Sequence, residues 1–179
     1  MPLEILESES IYSGRVISLI KEAVILQSGR KVIREKVMHP GSVGILPVLE
    51  DGSLILIEQF RYVVGSSLLE IPAGTIEEGE SPEECAAREL LEETGYRAGK
   101  LTLLSAFYLA PGYSNEFMWL FKATELKAGA MKPMLDESIE VRRIGLDDAL
   151  RLIRSGEIRD VKTICAILLY ALFEETRAV

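Results

Sequence analysis

The chain has 179 residues, which suffices for one well-filled core and is too short for two full-sized domains without a visible linker. Its formal net charge of −8 argues against nucleic acid as a partner, because a polyanion is normally bound by a clustered basic surface. No stretch approaches the roughly 20 uninterrupted apolar residues of a membrane helix, and no basic flank precedes an apolar run at the N-terminus. We therefore expect a cytoplasmic protein with no membrane partner.

Two further points follow from the composition. The only cysteines, Cys85 and Cys165, each lie in a stretch of helical periodicity with no second cysteine nearby, so we interpret them as buried or idle thiols. An acidic protein that binds a small anion needs a divalent cation and a few placed arginines to offset the repulsion.

Six strands are predicted, mostly in the first half of the chain. Each is a short run rich in β-branched residues and bounded by turn signals. The runs are residues 15–26, 31–37, 43–49, 54–60, 101–108 and 117–123. Gly29 and Gly52 lie in the turns after the first and third runs, where tight hairpins favour glycine, so the first half is predicted to be antiparallel ribbon.

Helical spacing of apolar residues predicts three helices, over residues 81–94, 146–155 and 161–175. The mixture of strands and helices indicates an α+β or α/β sandwich. Two loops marked by glycine and proline, residues 72–79 and 110–116, are candidates to carry binding groups.

The first helix has well-marked ends. Ser81 is a suitable N-cap, Pro82 occupies the first helical position, and Glu84 completes a capping box. Gly95 suits the left-handed residue that closes a helix. We therefore expect the helix to begin and end at these positions.

The same helix has two contrasting arcs, at about 100° per residue. One arc is apolar and is predicted to face the core, with Ala86, Ala87, Leu90, Leu91 and Thr94. The opposite arc is acidic, with Glu89, Glu92 and Glu93. Arg88 is spaced to pair with Glu84 and Glu92, yet one guanidinium does not neutralise the whole cluster. A divalent cation bound by three glutamates is one interpretation, and a solvated acidic helix face is the common alternative.

The wider spacing favours the cation. The segment GTIEEGESPEECAARELLEETGY resembles the Nudix box, G-x5-E-x7-R-E-U-x-E-E-x-G-U. The matching positions are Gly74, Glu80, Arg88, Glu89, Leu90, Glu92, Glu93 and Gly95. Tyr96 stands where the pattern has an aliphatic residue, a mild departure because tyrosine is largely apolar.

Resemblance to the Nudix family implies its fold, a mixed β-sheet sandwiched between helices, and a metal site of loop-helix-loop type. By this analogy Mg²⁺ is the expected cofactor, with Mn²⁺ or another divalent cation as the alternative. The expected ligands are Glu89, Glu92, Glu93 and the carbonyl oxygen of Ala73, with Glu89 and Glu93 also expected to serve catalysis. Glu80 and Arg88 would hold the loop against the helix and orient the ligands.

Segments outside the box resemble the branch of the family that cleaves ADP-ribose. Arg61, at the end of the run IEQFR, is the candidate clamp on the pyrophosphate, with an ordinary strand-end charge as the alternative. Pro111 stands sixteen residues beyond Gly95, a spacing typical of this branch. By the same resemblance Ser114 and Glu116 would touch the terminal ribose, with capping of their own loop as the alternative.

The general base of this branch tends to lie in an acidic loop before a late strand, and residues 134–141 resemble that loop. Glu137 is the predicted base. Asp136 and Glu140 remain alternatives, and all three are surface charges in the plainest interpretation.

The resemblance spans nearly the whole chain, and in such proteins the first forty or so residues form a β arm exchanged between two subunits. It therefore implies an N-terminal arm over residues 1–40, a catalytic domain over residues 41–179, and a homodimer. Arg34 stands where the branch often has an arginine that reaches the nucleotide, and Tyr12 is placed to stack on adenine. Packing of a strand is the commoner role of both residue types.

Two remaining residues have open roles. His39 is the single histidine, and no nucleophile is placed beside it, so we interpret it as a turn residue before Pro40. Glu70 is a charge in an otherwise apolar run, either a buried partner near the metals or a strand-edge charge.

The predicted activity is metal-dependent hydrolysis of the pyrophosphate of a small-molecule nucleotide sugar, with ADP-ribose giving AMP and ribose 5-phosphate. Another nucleoside diphosphate sugar, such as GDP-mannose, would use the same metal site. A non-catalytic nucleotide sensor is the alternative from another class, although such modules normally carry a DNA-binding extension or a damaged box.

Overall fold

The computed structural model describes residues 4–129 and 139–177, with side chains described to residue 173. The strands are β1 (Glu4–Ser13), β2 (Ser18–Ile25), β3 (Lys31–Met38), β4 (Ser42–Pro47), β5 (Leu54–Arg61), β6 (Ser66–Glu70), β7 (Ala73–Thr75), β8 (Tyr96–Arg97), β9 (Lys100–Tyr108), β10 (Phe117–Thr124), β11 (Lys127–Ala128) and β12 (Ile139–Ile144). The helices are α1 (Pro82–Thr94), α2 (Leu146–Ser155) and α3 (Val161–Arg177). The predicted mixture of strands and helices is confirmed.

The chain divides into two compact units. The first comprises Met1–Ser42 and Phe107–Met118, and the second comprises Val43–Ala106 and Trp119–Val179. The boundary predicted at residue 40 from family resemblance remains a prediction, because compactness alone does not define an independently folding domain.

The first unit contains a three-stranded antiparallel sheet, β1-β2-β3. Gly29 takes a left-handed φ of 78° in the turn between β2 and β3, as the hairpin prediction required. Strand β1 was not predicted, since its glutamates and serines lower its β propensity. All of β1 is exposed, and the sheet presents large apolar side chains to solvent at Ile5, Leu6, Ile11, Tyr12 and Ile33.

The second unit has its core around α1. The buried residues of this cluster are Val43, Ile45, Cys85, Ala86, Leu90, Phe121 and Ala123, drawn from β4, α1 and β10. Strand β4 is buried along its whole length, as expected for a near-continuous apolar run covered on both faces. Removal of this apolar surface from water is the main force that fixes α1 in place.

The remaining strands form sheets of order β7-β4-β10-β9, β12-β5-β6 and β11-β8. Strand β5 pairs antiparallel with both β6 and β12, which places the end of β5 beside the start of β6. The prediction of a hairpin at Gly52 is correct for the turn and wrong for the strand pairing. The turn forms, with φ of 81° at Gly52, but β4 and β5 share only an isolated bridge, Val48 to Leu54, and then enter different sheets.

The three predicted helices are confirmed to within two residues at their ends, because caps and apolar spacing are local signals. Among the described residues no helix is both long and apolar enough to span a bilayer. The short strands β6, β7 and β12 were missed, since runs of three to six residues carry little pattern of their own.

Candidate active site

Helix α1 begins at a complete capping box. The backbone N–H of Glu84 donates to Ser81 Oγ at 3.3 Å, and the backbone N–H of Ser81 donates to Glu84 Oε2 at 2.9 Å. At the other end Gly95 has φ of 73°, and its N–H donates to the carbonyl of Leu91 at 2.9 Å. The predicted helix ends are therefore confirmed, and the carboxylates between them are held on a rigid element.

The apolar arc predicted for α1 is buried at Ala86, Leu90 and Thr94, but the acidic arc opposite it is not left in solvent. Ala87 is exposed, whereas Cys85 is buried. Glu89 is only 8% exposed and Glu93 only 3%. An acidic face that is covered must be compensated, because burying an unpaired carboxylate is costly, so the interpretation of a solvated acidic helix face fails.

Gly74 leaves the space that Glu89 fills. A Cβ built on Gly74 would meet Glu89 Oε1 at 1.8 Å and Glu89 Cδ at 2.0 Å. The glutamate side chain therefore lies directly against the backbone of β7. The first glycine of the box is needed here for this close approach and not for an unusual φ.

Arg88 connects the loop to the carboxylates. Its Nε and Nη2 donate to Glu80 Oε1 and Oε2 at 2.8 and 2.9 Å, and its Nη1 donates to Glu89 at 2.7 Å and to Glu92 at 3.3 Å. The predicted contact with Glu92 is confirmed, and the predicted contact with Glu84 is wrong because the capping box engages that side chain. One guanidinium thus orients two candidate ligands and anchors them to the loop.

These contacts shift two ionisation equilibria. The hydrogen bonds from Arg88 lower the pKa of Glu80 to about 2, so this carboxylate is ionised at any physiological pH. Burial raises the pKa of Cys85 to about 12, with a further contribution from the charge of Glu80. Cys85 is therefore a protonated, unreactive thiol, and the interpretation of it as buried is confirmed.

Glu93 is tied to the strand that carries the predicted carbonyl ligand. The backbone N–H of Ala73 donates to Glu93 Oε2 at 3.0 Å. Ala73 begins β7, and the carbonyl of the preceding Pro72 accepts from Ile45 N–H at 2.8 Å. This arrangement fixes the backbone at Ala73 beside the α1 carboxylates.

The donor set suits a divalent cation in kind. Carboxylate and carbonyl oxygens are what Mg²⁺ prefers, and the bare backbone of Gly74 makes room for one of them. Within residues 4–129 and 139–177, however, no three His, Cys, Asp or Glu side chains stand in an arrangement ready to hold an ion. In these rotamers Arg88 and the backbone of Ala73 hold the carboxylates, so ion binding requires side-chain adjustment.

Arg61 ends β5 and faces a buried carboxylate. Its Nε and Nη2 each donate to Glu70 at 2.8 Å, and Glu70 also accepts from Lys162. The hydrogen bonds to Glu70 raise the pKa of Arg61, and the nearby charges of Glu93 and Asp160 add to this effect against burial. Glu70 is 1% exposed, so it is the buried partner and not the strand-edge charge of the two alternatives.

Lys162 and Asp160 complete this cluster, and no role was predicted for either of them from the sequence. Lys162 Nζ lies 3.0 Å from Asp160 Oδ1, and Asp160 Oδ2 accepts from Thr163 N–H at 3.0 Å and from Thr163 Oγ1 at 2.5 Å. Two signals were present: the spacing Asp-x-x-Thr at a helix start, and Glu70, which needed a cation once buried.

The predicted ribose-binding residues belong to the first compact unit. Ser114 Oγ accepts from the N–H of Glu116 at 3.1 Å, and Glu116 Oε1 accepts from Ser42 Oγ at 3.0 Å. Pro111 is exposed in the turn before them. Ser114 therefore has the loop-capping contact that was the alternative to ribose binding.

The other residues singled out in the first unit lie on or beside its sheet. Arg34, on β3, is exposed, and its guanidinium donates to the carbonyl of Ile33 at 3.2 Å. Tyr12 is exposed on β1, with its ring over Gly14. His39 Nδ1 accepts from Gly41 N–H at 3.1 Å, as expected of a turn residue.

The predicted base loop is only partly within the described residues. Glu137 and Asp136 lie outside them. Glu140 lies on β12 and not in a loop, is exposed, and pairs with Arg142 at 3.2 Å. It therefore has a structural partner of its own.

The chain is similar to known proteins over most of its length. The family model described as the NUDIX domain matches residues 38–166, more than half of the chain. An ADP-ribose pyrophosphatase of Bacillus subtilis (strain 168) is 46% identical over 95% of this chain and 93% of its own length. A methanol dehydrogenase activator of Bacillus methanolicus is 37% identical, over 90% and 89%. A GDP-mannose pyrophosphatase of Yersinia pestis (strain Pestoides F) is 39% identical, over 73% and 70%.

A solved structure supports the fold. The crystal structure of an ADP compounds hydrolase superposes with a TM-score of 0.88 at 26% identity, over 99% of this chain and 96% of the other. The fold predicted from the box is therefore confirmed.

Proposed function

The chain belongs to the Nudix family and is a pyrophosphohydrolase, and from that premise we propose that it hydrolyses ADP-ribose to AMP and ribose 5-phosphate with Mg²⁺ as the cofactor. The observation that carries the proposal is the buried carboxylate pair Glu89 and Glu93, on a helix that Arg88 ties to the Gly74 loop. Relatives named as ADP-ribose pyrophosphatases, at 46% and 32% identity over most of the chain, support this substrate.

In this proposal the cation ligands are Glu89, Glu92, Glu93 and the carbonyl oxygen of Ala73. Divalent cations, which Nudix hydrolases generally use, would neutralise charge on the pyrophosphate and make water in the site more acidic. Arg88 and Glu80 keep the helix and loop in register so that the carboxylate oxygens stay in place. Mn²⁺ is the alternative ion, since its oxygen-ligand preference is similar.

Arg61 is the proposed clamp on the pyrophosphate. A guanidinium binds phosphate oxygens through paired N–H groups, and the bidentate contact with Glu70 holds Arg61 in one orientation. Glu137 is the proposed general base, which would accept a proton from the attacking water as the P–O bond to the leaving phosphate breaks. The pairing of Glu140 with Arg142 supports the choice of Glu137 over Glu140.

We place the nucleoside and ribose contacts on Arg34, Pro111, Ser114 and Glu116. Arg34 is exposed, and among the described residues its guanidinium donates only to a neighbouring carbonyl, so it has N–H groups left for a ligand. Ser114 is engaged within its own loop by the N–H of Glu116, whereas the Glu116 carboxylate accepts from Ser42 at the start of β4. To bind ribose hydroxyls, Ser114 and Glu116 would have to replace these hydrogen bonds with hydrogen bonds to the ligand.

A cytoplasmic homodimer is part of the same proposal. The exposed apolar residues of β1 and β3 form a surface that a monomer in water would not favour, and a second copy of the arm is the proposed cover. The arm over residues 1–40 would then be exchanged between subunits, with the catalytic domain over residues 41–179.

The deciding experiment is a substrate panel at equal concentrations of ADP-ribose, GDP-mannose and other nucleoside diphosphate sugars, with Mg²⁺, Mn²⁺ or EDTA. The proposal expects AMP and ribose 5-phosphate from ADP-ribose, and no product in EDTA. GDP-mannose is the second candidate substrate, favoured by the relatives at 39% identity. Tight binding of ADP-ribose without release of AMP at excess metal would instead identify a nucleotide sensor.

A further inference from the structure

Glu70 is a buried carboxylate between two cations. It ends β6, and its oxygens accept from Arg61 Nε and Nη2 at 2.8 Å each and from Lys162 Nζ. Lys162 is itself only 9% exposed. Three charged side chains thus meet where β5, β6 and the start of α3 come together.

On the side away from Arg61, the cluster is held by further hydrogen bonds and an ion pair. Lys162 also pairs with Asp160, whose other oxygen accepts from Thr163 N–H and Oγ1. While Thr163 Oγ1 donates to Asp160, it also accepts from the backbone N–H of Ile71 at 2.8 Å. The residue after Glu70 is therefore anchored to the first turn of α3.

The hydrogen bonds of Arg61 are one-sided. Among the described residues only Glu70 accepts from its guanidinium, through Nε and Nη2, which leaves the Nη1 group and one further N–H of Nη2 for a ligand. The side chain is about one third exposed and lines a cavity of about 420 Å³. One edge of the Arg61 guanidinium is therefore held by Glu70, and the N–H groups of the other edge are available to a ligand.

Stability alone is a weak reason for such a cluster. Apolar side chains of similar volume often stabilise a protein as well as a buried ion pair does, because the charges must lose their hydration. Fixing an arginine before its ligand arrives has a separate benefit, since the entropy of ordering a long side chain is then not lost on binding.

We infer that Glu70 is a positioning residue, which together with Lys162 holds Arg61 so that its outer donor edge binds a phosphate of the substrate. The inference rests on the proposed function in one respect, the role of Arg61 as a phosphate ligand. In this inference Glu70 acts only through Arg61 and does not itself contact the substrate.

The test uses imidodiphosphate with Mg²⁺ as the probe, because this non-hydrolysable diphosphate carries the two phosphates and no nucleoside. Its Kd is measured by calorimetry for wild type, Glu70→Gln, Arg61→Ala and the double variant. We expect Glu70→Gln to weaken binding about tenfold, the loss typical of a disturbed charge-assisted hydrogen bond. The double variant should bind no more weakly than Arg61→Ala, because Glu70 contributes to binding only through Arg61 and has no effect once Arg61 is absent.

Three results of this experiment would overturn the inference. Unchanged affinity in folded Glu70→Gln would show that Arg61 does not depend on Glu70, and losses that simply add would show that the two residues act independently. Absence of imidodiphosphate binding by wild type would overturn it as well. Glu58→Gln is the matched control, since Glu58 accepts from Arg142 at 2.8 Å in a comparable pair on β5 that is exposed.

A second variant covers the case in which Glu70→Gln does not fold. Lysine keeps the charge of Arg61 but lacks the planar fork, so Arg61→Lys should lose about as much affinity as Arg61→Ala if orientation matters. Affinity equal to wild type would show that charge alone suffices and would overturn the inference. If the substrate panel fails while these diphosphate results hold, the proposed substrate is wrong and the positioning role stands.

Discussion

The side chain of Glu89 occupies the space in which any residue other than glycine at position 74 would place its Cβ. The built Cβ would lie 1.8 Å from Glu89 Oε1 and 2.5 Å from Glu89 Cγ. Because Glu89 is buried and held by Arg88, it has little freedom to move aside without losing that contact.

Because Glu89 is a proposed metal ligand, Gly74→Ala should lower turnover about 10- to 100-fold, the range observed when the orientation of a metal ligand is disturbed. The end of a side chain moves and not the backbone, so the circular dichroism spectrum should keep its wild-type form. Gly145→Ala is the matched control, because the nearest atom to its built Cβ lies 3.7 Å away. Wild-type turnover in Gly74→Ala would contradict the close-approach argument.

Glu93→Gln should nearly abolish hydrolysis while leaving the fold intact. Glutamine keeps the size of the side chain and an oxygen to accept from Ala73 N–H, but it removes the charge proposed to hold the cation. The expected loss in kcat is about 100-fold or more, above that for an orienting partner. The control is Glu83→Gln, because Glu83 is an exposed glutamate of the same helix. Retained turnover in Glu93→Gln would show that Glu93 is not a metal ligand.

The Glu80–Arg88 pair should make stability depend on pH. Hydrogen bonds from Arg88 lower the pKa of Glu80 to about 2 in the folded protein, against an ordinary value of 4.5. A lowered folded-state pKa stabilises the protein fully above the unfolded value, and the contribution is lost as pH falls from about 4.5 towards 2.

Urea unfolding in EDTA at several pH values between 7 and 3 measures this effect. The difference in unfolding free energy between wild type and Glu80→Gln should be largest at neutral pH and should shrink below pH 4.5. A difference that stays constant across this range would mean that the ionisation of Glu80 contributes nothing.

Glu137→Gln should lower kcat by about 100- to 10,000-fold, as expected for a general base, with little change in KM. Glu140→Gln should stay within about threefold of wild type, because an exposed pair such as Glu140–Arg142 contributes little. Steady-state kinetics on both variants decides between the two residues. The reverse ranking would make Glu140 the base.

The apolar surface of the arm should hold two chains together. Ile33 is 51% exposed on β3, so Ile33→Glu should shift the mass measured by light scattering from dimer towards monomer. Glu35→Gln, two residues along the same strand and also exposed, should leave the mass unchanged. A monomeric wild type at micromolar concentration would argue against the exchanged arm.

Local patterns explain what was predictable. The ends of α1 follow from Ser81, Pro82, Glu84 and Gly95, whose capping and left-handed preferences act within one turn. The spacing from Gly74 to Gly95 is long enough to identify the family. A match at eight fixed positions of such a motif depends on residue order alone, so no tertiary information was needed.

Burial depends on which elements pack together, so the sequence alone did not predict which carboxylates are buried. Helical periodicity placed Glu89 and Glu93 on an arc opposite the apolar residues, but β7 covers both, because it approaches α1 at Gly74 and Ala73. The partner of Arg88 likewise depended on which glutamate the loop brought near, and Glu80 displaced Glu84.

The sequence by itself determined the family and the helix ends, and it supplied the residue types proposed to bind cation and phosphate, since these depend on spacing and chemistry. Only the tertiary structure decided that Arg61 meets Glu70 and that Lys162, 92 residues from Glu70 along the chain, completes the cluster. Long-range pairing of this kind arises when β5, β6 and α3 pack. Packing depends on the whole core, and a local pattern does not contain it.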